Sequence, residues 1–292
     1  MPKLFLQLMD IKLSENKICK EEVQKNILDK FYTNPDVSKK YINIFSEFYK
    51  WESFDFVIEP SAGSGSFLFS IPHMNKIGID IEPEHDLIKK QDFFTYSPPK
   101  DMKNILVIGN PPFGKVSSLA IKFFNHSAQF SNVIAFIVSR SFRKTSIQNR
   151  LDDNFHLIYD DTIPTKPCCF NPEMKAKCCF QIWEKRDVKR STTKTSLIHE
   201  DWDFINYKEV ENADFAIRAY GGHCGDIIYN DLKKLNHKGW HFIKSNINKD
   251  LLIQKIKKID FIHSTNTARQ DSLGKRELVE LYTANSILVS TS

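Results

Sequence analysis

Residues 54–67 read FDFVIEPSAGSGSF. A short apolar run rich in β-formers ends at a proline and enters a turn with two glycines. Glycine is wanted where a ligand must approach the backbone closely, and the free N–H groups of a helix start suit an anionic group such as a carboxylate. The turn is therefore expected to open a helix and to face a ligand. A third glycine is missing, since Phe67 and Leu68 follow, and no Walker lysine comes after the turn. Both absences argue against a nicotinamide dinucleotide or a nucleotide phosphate.

Working outward, the next strand ends in Gly78-Ile79-Asp80, an acid at a strand tip where it can accept hydrogen bonds from both hydroxyls of a ribose. Gln91-Asp92-Phe93 falls where a third strand should end. The Asp92 carboxylate could take an adenine amino group while the Phe93 ring packs beside the base. Together these describe an adenosine pocket, against the plainer reading of a strand–turn unit with an acid at the next tip by chance. Directly after the apolar strand ILVIG stands Asn110-Pro111-Pro112-Phe113. An amine on an aromatic ring is a poor nucleophile because its lone pair is delocalised. An asparagine oxygen and the next proline's carbonyl can take its two N–H bonds and aim the lone pair. The double proline stiffens that corner, and Phe113 offers a ring for a base to stack on.

Around these motifs, β-rich runs at 55–59, 77–80, 105–109, 133–138, 155–159 and 178–183 alternate with helical segments at 37–48, 117–130 and 140–152. That is the pattern of repeated β-α units and a largely parallel sheet. The connection 162–177 is too short and proline-bearing for a crossover helix, so the last two strands should pair antiparallel. The polar, basic stretch KRDVKRSTTK at 185–194 marks a boundary. The expected division is an N-terminal arm (1–28), a main α/β domain (29–187) and a small C-terminal α+β segment (188–292). In the last, strands are expected at 202–205, 215–220 and 240–243 and helices at 251–259 and 275–281.

The series FYTNPDV, EPSAGSGSF, GIDIEP, QDFF and IGNPPFG, in that order, resembles the motifs of N6-adenine DNA methyltransferases of the gamma arrangement, over roughly residues 31–183. The resemblance implies a Rossmann-like class I methyltransferase fold with a mainly parallel seven-stranded sheet and S-adenosyl-L-methionine as cofactor. It assigns Tyr32, Thr33 and Pro35 to the methionine end of that cofactor, with Glu59, Ser61, Ala62 and Gly63 in the same pocket. Asp80 would hold the ribose, Asp92 and Phe93 the adenine, and Asn110, Pro111, Pro112 and Phe113 the target amine. An aromatic residue before the late antiparallel strand stacks on the other face of the target base in the family. Phe170 is the corresponding position, with a buried hairpin phenylalanine as its competing reading. Asn34 departs from the family by standing between Thr33 and Pro35.

A target amine inside a duplex has to be flipped out to reach such a pocket. Arg140, Arg143 and Lys144 follow the strand VIAFIV and, with Arg218, are candidates for phosphate contact, a solvated helix start being the alternative for the first three. The formal charge of +5 permits a nucleic-acid partner without demanding one. DNA is the expected partner and RNA the runner-up. A protein glutamine methyltransferase and a non-catalytic adenosine-binding subunit remain competitors. Adjacent cysteine pairs at 168–169 and 178–179 lack the spacing of a zinc knuckle, so no metal is expected. No run of about 18 apolar residues and no signal-peptide pattern is present, which gives the expectation of an intracellular, cytoplasmic or nucleoid protein with reduced thiols.

Overall fold

The computed structural model describes residues 31–192 and 194–290. The expected N-terminal arm lies outside the described residues. The chain divides into two compact units. Of the described residues, the first holds 31–138 with 154–175 and 180–187, and the second holds 139–153, 176–179, 188–192 and 194–290.

The first unit is built on a seven-stranded sheet. In chain order its strands are β2 (Phe56–Pro60), β3 (Lys76–Asp80), β4 (Ile88–Lys90), β5 (Ile105–Gly109), β6 (Val133–Ser139), β7 (Phe155–Ile163) and β9 (Cys178–Lys185), arranged β4-β3-β2-β5-β6-β9-β7. The pairs from β4 across to β6 are parallel. The Lys185 N–H reaches the Asn132 carbonyl just before β6, and the Arg186 N–H reaches the Asn154 carbonyl just before β7. The end of β9 thus meets the starts of both neighbours, so β9 runs against them. This is the expected mainly parallel sheet with an antiparallel pair at one edge.

β2 and β5 sit side by side at the centre. From β2 the chain steps outward to β3 and β4, and from β5 it steps the other way to β6. Connections that leave in opposite directions open a crevice at the carboxyl ends of these two strands, where open α/β sheets bind ligands. Both strands are apolar because both faces are covered: every residue of β5 is buried, as are Val57 and Ile58 of β2. Helix α1 (Pro35–Phe48) starts with proline at its first position and buries Ser38, Tyr41, Ile42 and Phe45, one stripe at helical spacing. Strand β1 (Tyr32–Thr33), just before it, pairs with β8 (Phe170–Asn171) in a two-stranded ribbon.

Three expectations need correction. The glycine turn opens no regular helix: residues 63–70 form linked turns. The Leu68 N–H is taken by a carboxylate, Glu59, and Pro72 lies too close for a helix to develop. The helix expected over 117–130 is shorter, α2 (Ser118–Ala128). The helix expected over 140–152 is broken into a 3₁₀ turn, Arg140–Arg143, and one helical turn, α3 (Thr145–Gln148). Lys144 between them is extended (φ −78°, ψ 135°).

The second unit has an antiparallel sheet of β10 (Trp202–Ile205), β11 (Phe215–Arg218), β12 (Ile227–Ile228) and β13 (Trp240–Ser245), in the order β10-β13-β11-β12. Helices α4 (Lys249–Lys257) and α5 (Lys275–Ser290) contribute Leu252, Ile256, Leu278 and Tyr282 to a core with Trp202, Phe215 and Ile243. β12 was not expected; two residues are too few to show a period. Asp201 ties this core together. Its carboxylate accepts from the Tyr282 hydroxyl and from Lys255 Nζ at 3.2 Å. Burial raises its pKa, and those two donors outweigh burial and hold it below the ordinary carboxylate range. We expect Asp201→Ala to strand the buried Tyr282 hydroxyl and cost about 2–3 kcal/mol, read by denaturant unfolding. A midpoint equal to wild type would dismiss this tie.

Candidate functional site

Two carboxylates hold the glycine turn. At the end of β2, Glu59 is buried and accepts the Leu68 N–H at 2.7 Å. At the end of β3, Asp80 accepts the Gly63 N–H through Oδ2 and the Glu82 N–H through Oδ1, each at 2.8 Å. Burial pushes the Glu59 carboxyl up to about 8, against the lowering effect of hydrogen bonds from the Leu68 and Phe67 amides. Gly63 has φ +52°, and a Cβ there would lie 2.4 Å from the Tyr32 ring. The absent side chain is what lets Tyr32 lie against the turn. Tyr32 is fastened by a 2.5 Å bond from its hydroxyl to Glu84, whose own N–H reaches the Gly63 carbonyl at 3.0 Å. Burial and that carboxylate both raise the Tyr32 pKa.

Beside the turn lies a cavity of about 330 Å³. Tyr32, Ser61, Gly63, Asp80, Asp92, Phe93, Asn110 and Pro112 all line it. A smaller recess next to it, about 20 Å³, is lined by Tyr32, Thr33, Glu59, Ser61, Ala62 and Asn110, with others. Thr33 Oγ1 and Ser61 Oγ are buried here and have no hydrogen-bond partner. Asn110 donates from Nδ2 to the Phe31 carbonyl at 3.1 Å. A carbonyl can only accept, so the NH₂ must face Phe31 and Oδ1 is turned the other way as an acceptor.

Other expected residues are not at the cavity wall. Pro35 begins α1, and Pro111 is buried. Neither Pro111 nor Phe113 lines the cavity; the Phe113 carbonyl accepts the Leu119 and Ala120 amides at 3.2 and 3.3 Å and so anchors α2. Phe170 is 4% exposed, paired with Thr33 in the β1–β8 ribbon. It offers no open face for a base, which agrees with the hairpin reading. Phe93 and its neighbour Phe94 both line the cavity, Phe93 being 3% exposed and stacked on Phe123 at 5.3 Å and Phe94 38% exposed.

The basic candidates lie in the second unit. Lys144 is committed to Glu277 at 2.8 Å and to the Ser272 carbonyl, which removes it as an uncompensated charge for phosphate. Arg218 lies over the Trp240 ring at 5.6 Å. Arg140 and Arg143 sit in the 3₁₀ turn after β6, with Arg140 Nε buried and without a partner. Two polar groups at the cavity are not assigned by the sequence reading. Phe31 acts through its carbonyl, which no side-chain pattern reveals. Gln91 Oε1 is buried in the wall without a partner, and only its place before Asp92 could have pointed to it. Among the described residues there is no cluster of potential metal ligands and no helix long and apolar enough to cross a membrane.

No family model matches this chain, and no curated protein does either. Among solved structures it is similar to a putative RNA methyltransferase from Pyrococcus horikoshii, at 16% identity over 55% of this chain and 88% of that one, TM-score 0.41. It is also similar to a 23S rRNA methyltransferase, at 14% identity over 55% and 71%, TM-score 0.38. A third is an N-methyltransferase from Bradyrhizobium japonicum, at 10% identity over 52% and 96%, TM-score 0.37.

The buried Glu59 carboxyl has a consequence for stability. Unfolded, it titrates near 4.5; folded, near 8. Between those values the folded chain binds the extra proton, so this group's contribution is complete below about 4.5 and is lost as pH rises through about 8. Its ceiling is on the order of 5 kcal/mol. Urea unfolding should show the wild type losing stability from pH 5 to pH 8 relative to Glu59→Gln. Parallel pH dependences in the two proteins would refute the assignment.

Proposed function

We propose that this chain transfers a methyl group from S-adenosyl-L-methionine to the N6 amine of adenine in a nucleic acid, DNA in the first place. The observation that carries the reading is the fixed Asn110 amide. Its NH₂ is spent on the Phe31 carbonyl, and its oxygen is left as an acceptor on the wall of the cavity that Asp80 also lines. An aromatic amine needs its two N–H bonds held so that its lone pair can point at a methyl donor. Asn110 Oδ1 is one such acceptor on a proline-stiffened corner, and the motif series assigns the second to the carbonyl of Pro111, which lies buried behind the cavity wall. A neutral amide oxygen is too weak a base to keep the amine's proton, so the corner works by orientation, and the proton leaves to solvent.

The residues present fit the cofactor. Two orphaned buried hydroxyls, Thr33 and Ser61, line the recess beside Glu59, where the amino-acid end of the cofactor needs polar partners. Asp80 keeps a second lone pair on each carboxylate oxygen for ribose hydroxyls after serving the Gly63 and Glu82 amides. Bound there, S-adenosyl-L-methionine supplies a methyl carbon made electrophilic by its sulfonium. Thr33 and Ser61 bind, Asp80 orients, and Asn110 aims the acceptor amine. A paired adenine must leave its helix to reach this cavity. DNA is favoured over RNA by the order of the motifs along the chain and by the α+β unit that follows them.

Incubation with methyl-labelled cofactor and DNA, RNA or protein, followed by nucleoside and amino-acid analysis, tests the reading. Label is expected in N6-methyladenine from DNA. Label confined to RNA would remove the DNA preference, and label confined to glutamine would remove the nucleic-acid substrate. Asn110→Ala should lower turnover roughly 100-fold or more while S-adenosylhomocysteine binds as in wild type by calorimetry; near-normal turnover contradicts the role given to that side chain. Asp80→Ala should weaken the same ligand by roughly tenfold or more, and an unchanged affinity takes Asp80 out of the ribose site.

A further inference from the structure

The motif series assigns the adenine of the cofactor to Asp92, yet the geometry around the neighbouring residue points elsewhere. Asp92 is exposed, and its Oδ1 accepts the Phe94 N–H at 2.9 Å, capping the short 3₁₀ turn Phe93–Thr95. Gln91 presents the opposite picture. Its Oε1 is buried in the cavity wall with no partner, while the residue is held at its backbone and at its side-chain nitrogen. The backbone N–H donates to the Asp80 carbonyl at 2.8 Å, and Nε2 donates to Thr95 Oγ1 at 3.2 Å.

The Thr95 hydroxyl sets the direction of that amide. Its single proton goes to the Asp92 carbonyl at 2.8 Å, so towards Gln91 it can only accept. The Gln91 NH₂ is therefore obliged to face Thr95, and Oε1 cannot exchange places with it. The result is a fixed acceptor without a donor, on the wall of a cavity that also holds the Asp80 carboxylate. A buried acceptor left unmade costs about 1–3 kcal/mol, and a purine 6-amino group is the donor that an adenosine ligand would bring.

We propose that Gln91, and not Asp92, selects the cofactor's base by accepting its 6-amino group, with Thr95 as the residue that locks the Gln91 amide in the accepting direction. This rests on the S-adenosyl-L-methionine reading above. Asp92 then serves as the cap that shapes the loop. A 6-oxo purine would set oxygen against oxygen at Gln91, and the Thr95 lock prevents the amide from turning over to accommodate it.

The test compares binding of S-adenosylhomocysteine with S-inosylhomocysteine, identical but for the 6-oxo group, by calorimetry on the full chain. Wild type should prefer the adenine compound by roughly tenfold or more. In Gln91→Leu the ratio should fall to within about twofold, and in Thr95→Val to an intermediate value as the amide gains freedom to turn. Asp92→Ala should weaken both ligands alike and keep the ratio. Thermal melts establish that each variant is folded; should Gln91→Leu not fold, the Thr95→Val ratio decides. A ratio unchanged in Gln91→Leu, or one that collapses in Asp92→Ala instead, overturns the assignment. Wild type that binds S-adenosylhomocysteine without discriminating also overturns it and leaves the cofactor reading standing. Wild type that binds neither compound defeats the cofactor reading, and this inference with it.

Discussion

The site depends on a backbone turn strapped at two points by carboxyl groups from adjacent parallel strands. Glu59, at the end of β2, holds the Leu68 amide; Asp80, at the end of β3, holds the Gly63 amide. Because β2 and β3 pair in register with Glu59 beside Gly78, the two acids are carried by one rigid piece of sheet, and the turn between them inherits that rigidity. Closeness follows from the glycine: without a Cβ at residue 63, the Tyr32 ring lies on the turn, and Glu84 keeps it there. A flexible loop could bring the same groups together only by losing backbone entropy on binding, about 1–2 kcal/mol for each residue ordered. Here the bonds from Glu59 and Asp80 hold the turn in one arrangement.

The corner after β5 is fixed from outside the sheet. Asn110 is oriented by the Phe31 carbonyl, and Phe31 is in turn the residue before β1, held by pairing with β8. Asn34 completes that hold. Its N–H reaches the Cys169 carbonyl, its side-chain NH₂ the Cys168 carbonyl, and its own carbonyl accepts from Val37 and Ser38 at the start of α1. The residue that stands between Thr33 and Pro35 is thus the pin between the ribbon and the helix. It lets Tyr32 and Thr33 stay extended and paired while Pro35 begins a helix.

How much of this the sequence discloses follows from which forces leave a pattern. The central strands were legible because burial on both faces writes an unbroken apolar run, ILVIG in β5 and VIAFIV in β6. The glycine turn, Asp80 and Asn110 stand out in the sequence because the chemistry proposed for each needs a particular residue type. The helix expected after the glycine turn failed because helical propensity carries no information about a buried acid nine residues earlier that claims the Leu68 amide. The one expected over 140–152 failed because Lys144 is drawn into extended backbone, with its amine on Glu277, 133 residues away. Hydrogen bonds across such distances leave no period. Lys144 illustrates the cost for function: a lysine after a sheet strand looks free to meet phosphate until its acidic partner is located.

Backbone strain is distributed in a way that agrees with this division of labour. Ser61, just after β2, has φ 49°, and Val116 and Ser117, after β5, have φ 52° and 57°. None is glycine, and each such residue costs on the order of 1–3 kcal/mol. All three follow the two central strands, at the carboxyl ends where connections depart in opposite directions and the crevice opens. Strain of that size persists only where the flanking structure over-determines the chain. β2 and β5 supply that constraint, being buried on both faces and hydrogen-bonded to each other. Relaxing the turn at Ser61 would release the Gly63 amide from Asp80, and relaxing the loop at 116–117 would move the start of α2, whose first amides are fixed to the Phe113 carbonyl. His223 (φ 66°) and Asp231 (φ 56°) belong to the second unit, whereas the strained residues of the first unit share the two turns that form the cavity wall, which β2 and β5 hold in place.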